Sequence, residues 1–256
     1  MTGFQEDNCL ATERIGEVAV LTIDRPQRRN AIGVALVDRL AEEFSRLDGD
    51  PGVHAIVLTG TAPGFCAGSD LKELAATDLS GMRQQEAHTA TMARSIALLS
   101  KPVVAAVDGF ALGGGFVLAI SCDVVVTGPA ARWHLPEVTI GWIPPWGLQA
   151  LIARVGPVAA RRLTWGAEAF DGVEAHRLGI ADYVSRTGEA VRDAAIARAR
   201  QLAALPQAAV SSTKQFFALS ASGSGEACDA WASRLFMADC GQVAAKATLR
   251  RFGVRT

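Results

Sequence analysis

Gly64-Phe65-Cys66-Ala67-Gly68-Ser69-Asp70-Leu71 and Ala111-Leu112-Gly113-Gly114-Gly115-Phe116-Val117 are two glycine-rich turns of the same kind. Each follows a run rich in β-branched residues that reads as a buried strand, and each opens into a helix. Glycine lets the backbone approach a ligand closely and tolerates positive φ, so its N–H can face outward. The dipole of the following helix adds to this, and each turn becomes an anion site. Two such turns in this order can aim free backbone N–H groups at one point. That arrangement holds an oxyanion without any charged side chain.

Outward from the turns, strands and helices alternate. Val18–Ile23 reads as a strand ending in the turn signal Asp24-Arg25-Pro26. Leu36, Val37, Leu40, Phe44 and Leu47 then fall at helical spacing. Residues 53–59, 102–107, 123–127 and 181–184 read as further strands, and 78–99 and 116–122 as helices. Two helices, 148–155 and 158–164, are expected on either side of Gly156-Pro157, and a short one at 175–179. From residue 189 onward the chain reads as helical, with a flexible serine-glycine loop expected at 220–225. The pattern predicts an α/β architecture with a mostly helical C-terminal region.

The chain has 256 residues, of which 50% are apolar and 20% charged, and its formal net charge is −1. That length suits one large α/β unit, and the charge balance gives no bulk attraction to nucleic acid or to an anionic membrane. Cys9, Cys66, Cys122, Cys228 and Cys240 are scattered and form no C-x-x-C pair. Reduced thiols in a cytoplasmic compartment are therefore expected rather than a disulfide framework or zinc site. Residues 1–8 show no basic segment followed by an apolar run, so no signal peptide is expected, and no apolar stretch reaches membrane-spanning length. His54, His88 and His176 have no metal-ligand spacing, and no metal is expected.

Nucleotide and hydrolase signatures are missing from the glycine turns. Gly60, Gly64 and Gly68 are spaced four apart, which does not match G-x-G-x-x-G. No G-K-[ST] ending and no G-x-S-x-G elbow occurs. What the ordered set does resemble is the enoyl-CoA hydratase/isomerase (crotonase) family. The resemblance is carried by Arg25-Pro26 with Asn30-Ala31, by residues 65–71, and by Lys101-Pro102 through Asp108-Gly109 to Gly113-Gly114-Gly115. Cys122-Asp123 and Pro136-Glu137 with Gly141 complete it, so it covers nearly the whole chain.

The resemblance implies the crotonase-like spiral of strand-strand-helix units over 1–195 and a helical oligomerisation region over 196–256. It implies a coenzyme A thioester as substrate, no permanently bound cofactor, and a homotrimer or homohexamer. The family's oxyanion donors fall on the N–H groups of Ser69 and Gly114. The backbone of Pro63, Phe65 and Ala67, with Gly68 in the same turn, falls on the part that meets adenine and pantetheine. Arg29 and Lys72 match positions that in some relatives meet CoA phosphates, and the acyl pocket falls near Leu74, Trp142 and Trp146. His134 beside Trp133 reads as a packed or hydrogen-bonded histidine.

The sequence departs from the hydratase pattern in its acid and base. Hydratases of this family carry two glutamates, and the first position here is Val117, which transfers no proton. The second is Glu137. A lone carboxylate suits removal of a C2 proton and its return at C4, so double-bond isomerisation is expected over hydration. A hydratase-lyase or C–C-cleaving reaction on an aromatic or aliphatic acyl-CoA uses the same oxyanion site and remains an alternative. A catalytically silent acyl-CoA-binding protein is the alternative of another class.

Overall fold

The computed structural model describes residues 9–166 and 168–251, without the side chains of 219–224. The expectation for residues 1–8 lies outside the described residues. Strands β1 (Leu10–Ile15) and β2 (Val18–Ile23) pair antiparallel around a tight turn. Parallel pairing then continues through β3 (Ala55–Gly60), β4 (Val103–Val107), β6 (Val124–Thr127) and β8 (Tyr183–Val184). A second, two-stranded parallel sheet joins β5 (Phe110–Leu112) to β7 (Arg132–His134).

Because side chains alternate across a strand, the large sheet has two apolar faces. Leu21, Ile23, Ile56, Leu58, Ala105 and Val107 face one cluster, and Val18, Val20, Val57, Val104 and Ala106 face another. The first cluster is covered by α1 (Val34–Gly49), α3 (Leu79–Leu98) and α4 (Gly114–Ile120), with the short α2 (Leu71–Ala75) between α1 and α3 in the chain. Beyond the site come α5 (Leu148–Gly166), α6 (Gly172–Arg177) and α7 (Val191–Ala203). Helix α7 covers the other face with Val191, Ala195, Ile196, Ala199 and Ala203. The sheet core therefore runs past residue 195, and the expected division between 195 and 196 falls inside a helix.

The expected break at Gly156-Pro157 is present, since Gly156 adopts φ 74° and ψ 164° inside α5. The loop expected at 220–225 is not. Residues 207–240 form one continuous helix, α8 (Gln207–Cys240), followed by α9 (Val243–Arg251). A serine and glycine composition lowers helix propensity by well under 1 kcal/mol per residue for serine and about 1 for glycine, which packing along the helix overrides. Helix α8 runs beside α3 and α5, and Phe236 and Cys240 close a third apolar cluster with Leu74, Met82, Trp142 and Leu249. No helix among the described residues is long and apolar enough to cross a membrane.

Candidate active site

Adjacent parallel strands carry the two glycine turns to one place. β3 and β4 are neighbours in register, and each chain leaves its strand at the same end of the sheet. The two segments then zip together. Phe65 N–H donates to the Asp108 carbonyl at 2.9 Å, Cys66 N–H to Phe110 at 3.2 Å, and Leu112 N–H to Cys66 at 3.0 Å. Gly68 holds φ +89°, and a Cβ there would lie 2.8 Å from the Leu112 carbonyl. A Cβ on Gly115 would collide with the Cys66 carbonyl, so the triplet's last glycine permits the close approach of the two turns.

The Ser69 and Gly114 amides lie against each other across this junction. A Cβ on Gly114 would sit 3.6 Å from the Ser69 nitrogen, and one on Gly68 would sit 3.1 Å from the Gly114 nitrogen. Neither amide has a backbone acceptor among the described residues. Gly114 is the first residue of α4, where an N–H has no partner within its own helix. Both residues line one cavity.

Asn30 sets the position of the first turn from below. It is fully buried with φ 56°, and its amide nitrogen donates to the carbonyls of Thr61 at 2.7 Å and Gly64 at 2.6 Å. Asp70 caps α2 by accepting from the N–H groups of Lys72 and Glu73, and Arg25 holds both Asp70 and Glu73. These contacts explain why Arg25 and Asn30 accompany the glycine turns in the sequence.

Ala67, Gly68, Ser69, Leu74, Gly114, Val117, Glu137, Trp142 and Trp146 line one cavity of about 100 Å³. Glu137 opens a short 3-10 turn (Glu137–Ile140), placed by the β7 strand that pairs beside the second glycine turn. Its carboxylate is buried, and its Oε2 has no hydrogen-bond partner among the described residues. Loss of water raises its pKa to about 7, and the nearby Glu86 carboxyl pushes in the same direction. Val117 lies at the cavity wall, only 3% exposed, packed against Gly147.

The sequence pattern passed over Glu86. It sits on α3, one helical turn from Met82 and from Ala90, on the stripe that faces inward. A carboxylate inside an otherwise apolar stripe is the signal that marks it. Its Oε1 accepts from the Ser69 hydroxyl at 2.6 Å, and its Oε2 accepts from the Trp146 indole N–H at 2.8 Å. It makes no ion pair among the described residues, and desolvation raises its pKa well above the ordinary carboxylate value.

The other expected residues lie away from the cavity. Arg29 is exposed, with its guanidinium 4.7 Å above the Phe110 ring, and Lys72 is exposed on α2. Pro63 is exposed, whereas Phe65 is fully buried. Cys66 is buried too, and burial pushes its thiol up to about 12, so it is no nucleophile at neutral pH. Trp133 is core, its indole N–H donating to Thr127 at 3.0 Å.

Comparison with known proteins gives a consistent picture. The family model described as enoyl-CoA hydratase/isomerase matches residues 13–252. A 2,3-dehydroadipyl-CoA hydratase of Escherichia coli is 38% identical over 67% of this chain and 67% of its own length. A short-chain-enoyl-CoA hydratase of Clostridium acetobutylicum is 35% identical over 74% of this chain and 73% of its own. The crystal structure of an enoyl-CoA hydratase/isomerase from Mycobacterium paratuberculosis superposes with a TM-score of 0.86 at 25% identity, covering 97% of this chain and all of that one.

Proposed function

Since the chain belongs to the enoyl-CoA hydratase/isomerase family, we propose that it binds an enoyl-CoA thioester and moves its double bond through an enolate. The Ser69 and Gly114 N–H groups hold the thioester oxygen as charge develops on it. Glu137 removes the C2 proton, and isomerisation from the 3,4 to the 2,3 position is favoured because Val117 supplies no proton. The observation that carries this reading is the buried Glu137 Oε2, unpartnered among the described residues, in a cavity also lined by Ser69 and Gly114. An acid group left without a partner at a wall of that kind has its hydrogen-bonding capacity reserved for a ligand.

In this reading the adenine and pantetheine run along Pro63, Phe65, Ala67 and Gly68, and the CoA phosphates meet Arg29 and Lys72. The acyl carbons enter between Leu74, Trp142 and Trp146. No resident cofactor takes part. A second reading, hydration of a 2-enoyl thioester, is supported by the Escherichia coli and Clostridium relatives, both of which are hydratases by name.

Incubation with 3-enoyl-CoA and with 2-enoyl-CoA separates the two. Glu137→Gln is expected to lower kcat on the favoured substrate by about 1,000-fold with little change in KM. Gly114→Ala puts a Cβ 3.2 Å from the Trp146 ring, which must give by a few tenths of an ångström, and 3.6 Å from the Ser69 nitrogen, where it fills the space between the amides. Loss of one such donor geometry costs on the order of 100-fold in kcat. Full activity of either variant overturns the mechanism.

A further inference from the structure

We propose that Glu86 is the second proton-transfer group of this site, acting at the cavity through the Ser69 hydroxyl and making up for the apolar Val117. This inference rests on the enolate reading above. Glu86 lines the same cavity as Glu137, and the two carboxyls come from different elements, α3 and the turn after β7. The Ser69 hydroxyl belongs to the residue whose N–H is the proposed oxyanion donor. A Cβ on Gly114 would lie 3.6 Å from that hydroxyl oxygen, which puts it at the junction of the two turns.

The hydrogen-bond chemistry permits a relay. A protonated carboxyl can donate to the hydroxyl oxygen at 2.6 Å, which frees the hydroxyl's own proton to point into the cavity. The Trp146 indole holds the other carboxyl oxygen at 2.8 Å and fixes the plane of the group. Of the other charged groups on or beside α3, Arg83 is exposed on the outer side of the helix and Asp78 caps its first turn. Asp70 and Glu73 pair with Arg25, His88 with Asp38 of α1, and Asp229 of α8 with Arg94. Glu137 is the charged neighbour left facing the cavity, so the two carboxyls divide the work of base and acid by environment.

The substrate of this step is a 3-enoyl thioester, with Glu137 ionised and Glu86 protonated at the start. Glu137 takes the C2 proton, the C2–H pair forms a C1–C2 double bond, and the thioester oxygen gains the negative charge. The oxyanion pair then re-forms the carbonyl and the C1–C2 pair shifts to C2–C3. The former C3–C4 pair takes a proton at C4 from the Ser69 hydroxyl, which takes one from Glu86. Glu137 ends protonated and Glu86 ionised, and exchange with water restores both.

The test is the origin of the C4 hydrogen when 3-enoyl-CoA is turned over in deuterium oxide, read by mass spectrometry of early product. A single Glu137 shuttle carries protium from C2 to C4. Two groups place solvent deuterium at C4 from the first turnover. Glu86→Gln keeps a side chain able to bond Ser69 and Trp146, and is expected to slow turnover by about 100-fold and leave mainly protium at C4. It should also lose the high-pH limb of the rate profile, which a merely structural contact would not remove. Wild-type retention of protium, or a Glu86→Gln rate within about threefold of wild type, overturns the proposal.

Should Glu86→Gln melt about 10 °C below wild type, Ser69→Ala replaces it. That variant keeps the amide donor and both carboxyls, and the same loss of C4 deuterium is expected. If wild type hydrates 2-enoyl-CoA and leaves 3-enoyl-CoA untouched, isomerisation fails and Glu86 is judged by hydration, where the same loss of about 100-fold must appear. Turnover of neither substrate overturns both readings.

Discussion

Glu137 is a buried carboxyl whose ionisation works against the fold that surrounds it. Its carboxyl titrates near 7 rather than at the ordinary 4.5 because burial penalises the charged form. A group with a folded value above its unfolded one contributes stability that is complete at low pH and is lost as pH rises through the folded value. The window here runs from about 4.5 to about 7, which corresponds to about 3 kcal/mol. Glu137→Gln removes that dependence. Thermal melts at pH 5 and pH 8 should therefore show wild type losing more stability than the variant between the two. Equal losses would mean that Glu137 is solvated and titrates normally. Glu137 could be read from the Pro-Glu match in the sequence, and a carboxylate beside apolar walls is expected to have a raised pKa; how completely it loses water is set by the packing of α5 and α9 on its turn.

Among the elements, α8 shows most clearly how packing overrules composition. A serine-glycine stretch at 220–225 reads as a loop, yet the helix continues through it because anchored segments on either side pack along α3 and α5. Asp229 is one of those anchors. It is 8% exposed, accepts from the Gly147 N–H at 2.9 Å and pairs with Arg94 of α3. Removing it leaves two donors without their partner next to Trp146, whose ring lines the site. Asp229→Ala is expected to cost about 2 kcal/mol in chemical denaturation. An unchanged midpoint would mean that α8 is held by its apolar contacts alone. The small β5–β7 sheet was as hard to read as α8, since three-residue strands give too little alternation to detect. That pair nevertheless places Glu137 beside the second turn.

On the scale of the whole molecule, several large apolar side chains face outward. Phe216, Phe217 and Trp231 of α8 and Val158 and Trp165 of α5 are each more than half exposed. A monomer leaves such area in water, and burying it stabilises association by about 25 cal/mol per Å² before entropy is counted. Sedimentation velocity is accordingly expected to show self-association of the 26.9 kDa chain, and a monomer at micromolar concentration would refute it. What the sequence by itself determined is local and ordered: strand–helix alternation, the two glycine turns, the Pro-Glu pair and the family. Short-range patterns record these because backbone conformation and face periodicity act over a few residues. Only the tertiary structure decided that Glu86, distant in the chain and hidden in a helical stripe, shares a cavity with Ser69 and Glu137. Juxtaposition of that kind depends on how α3 packs among α1, α2 and α8 so that Glu86 reaches Ser69 and Trp146, and no local spacing in the chain encodes it.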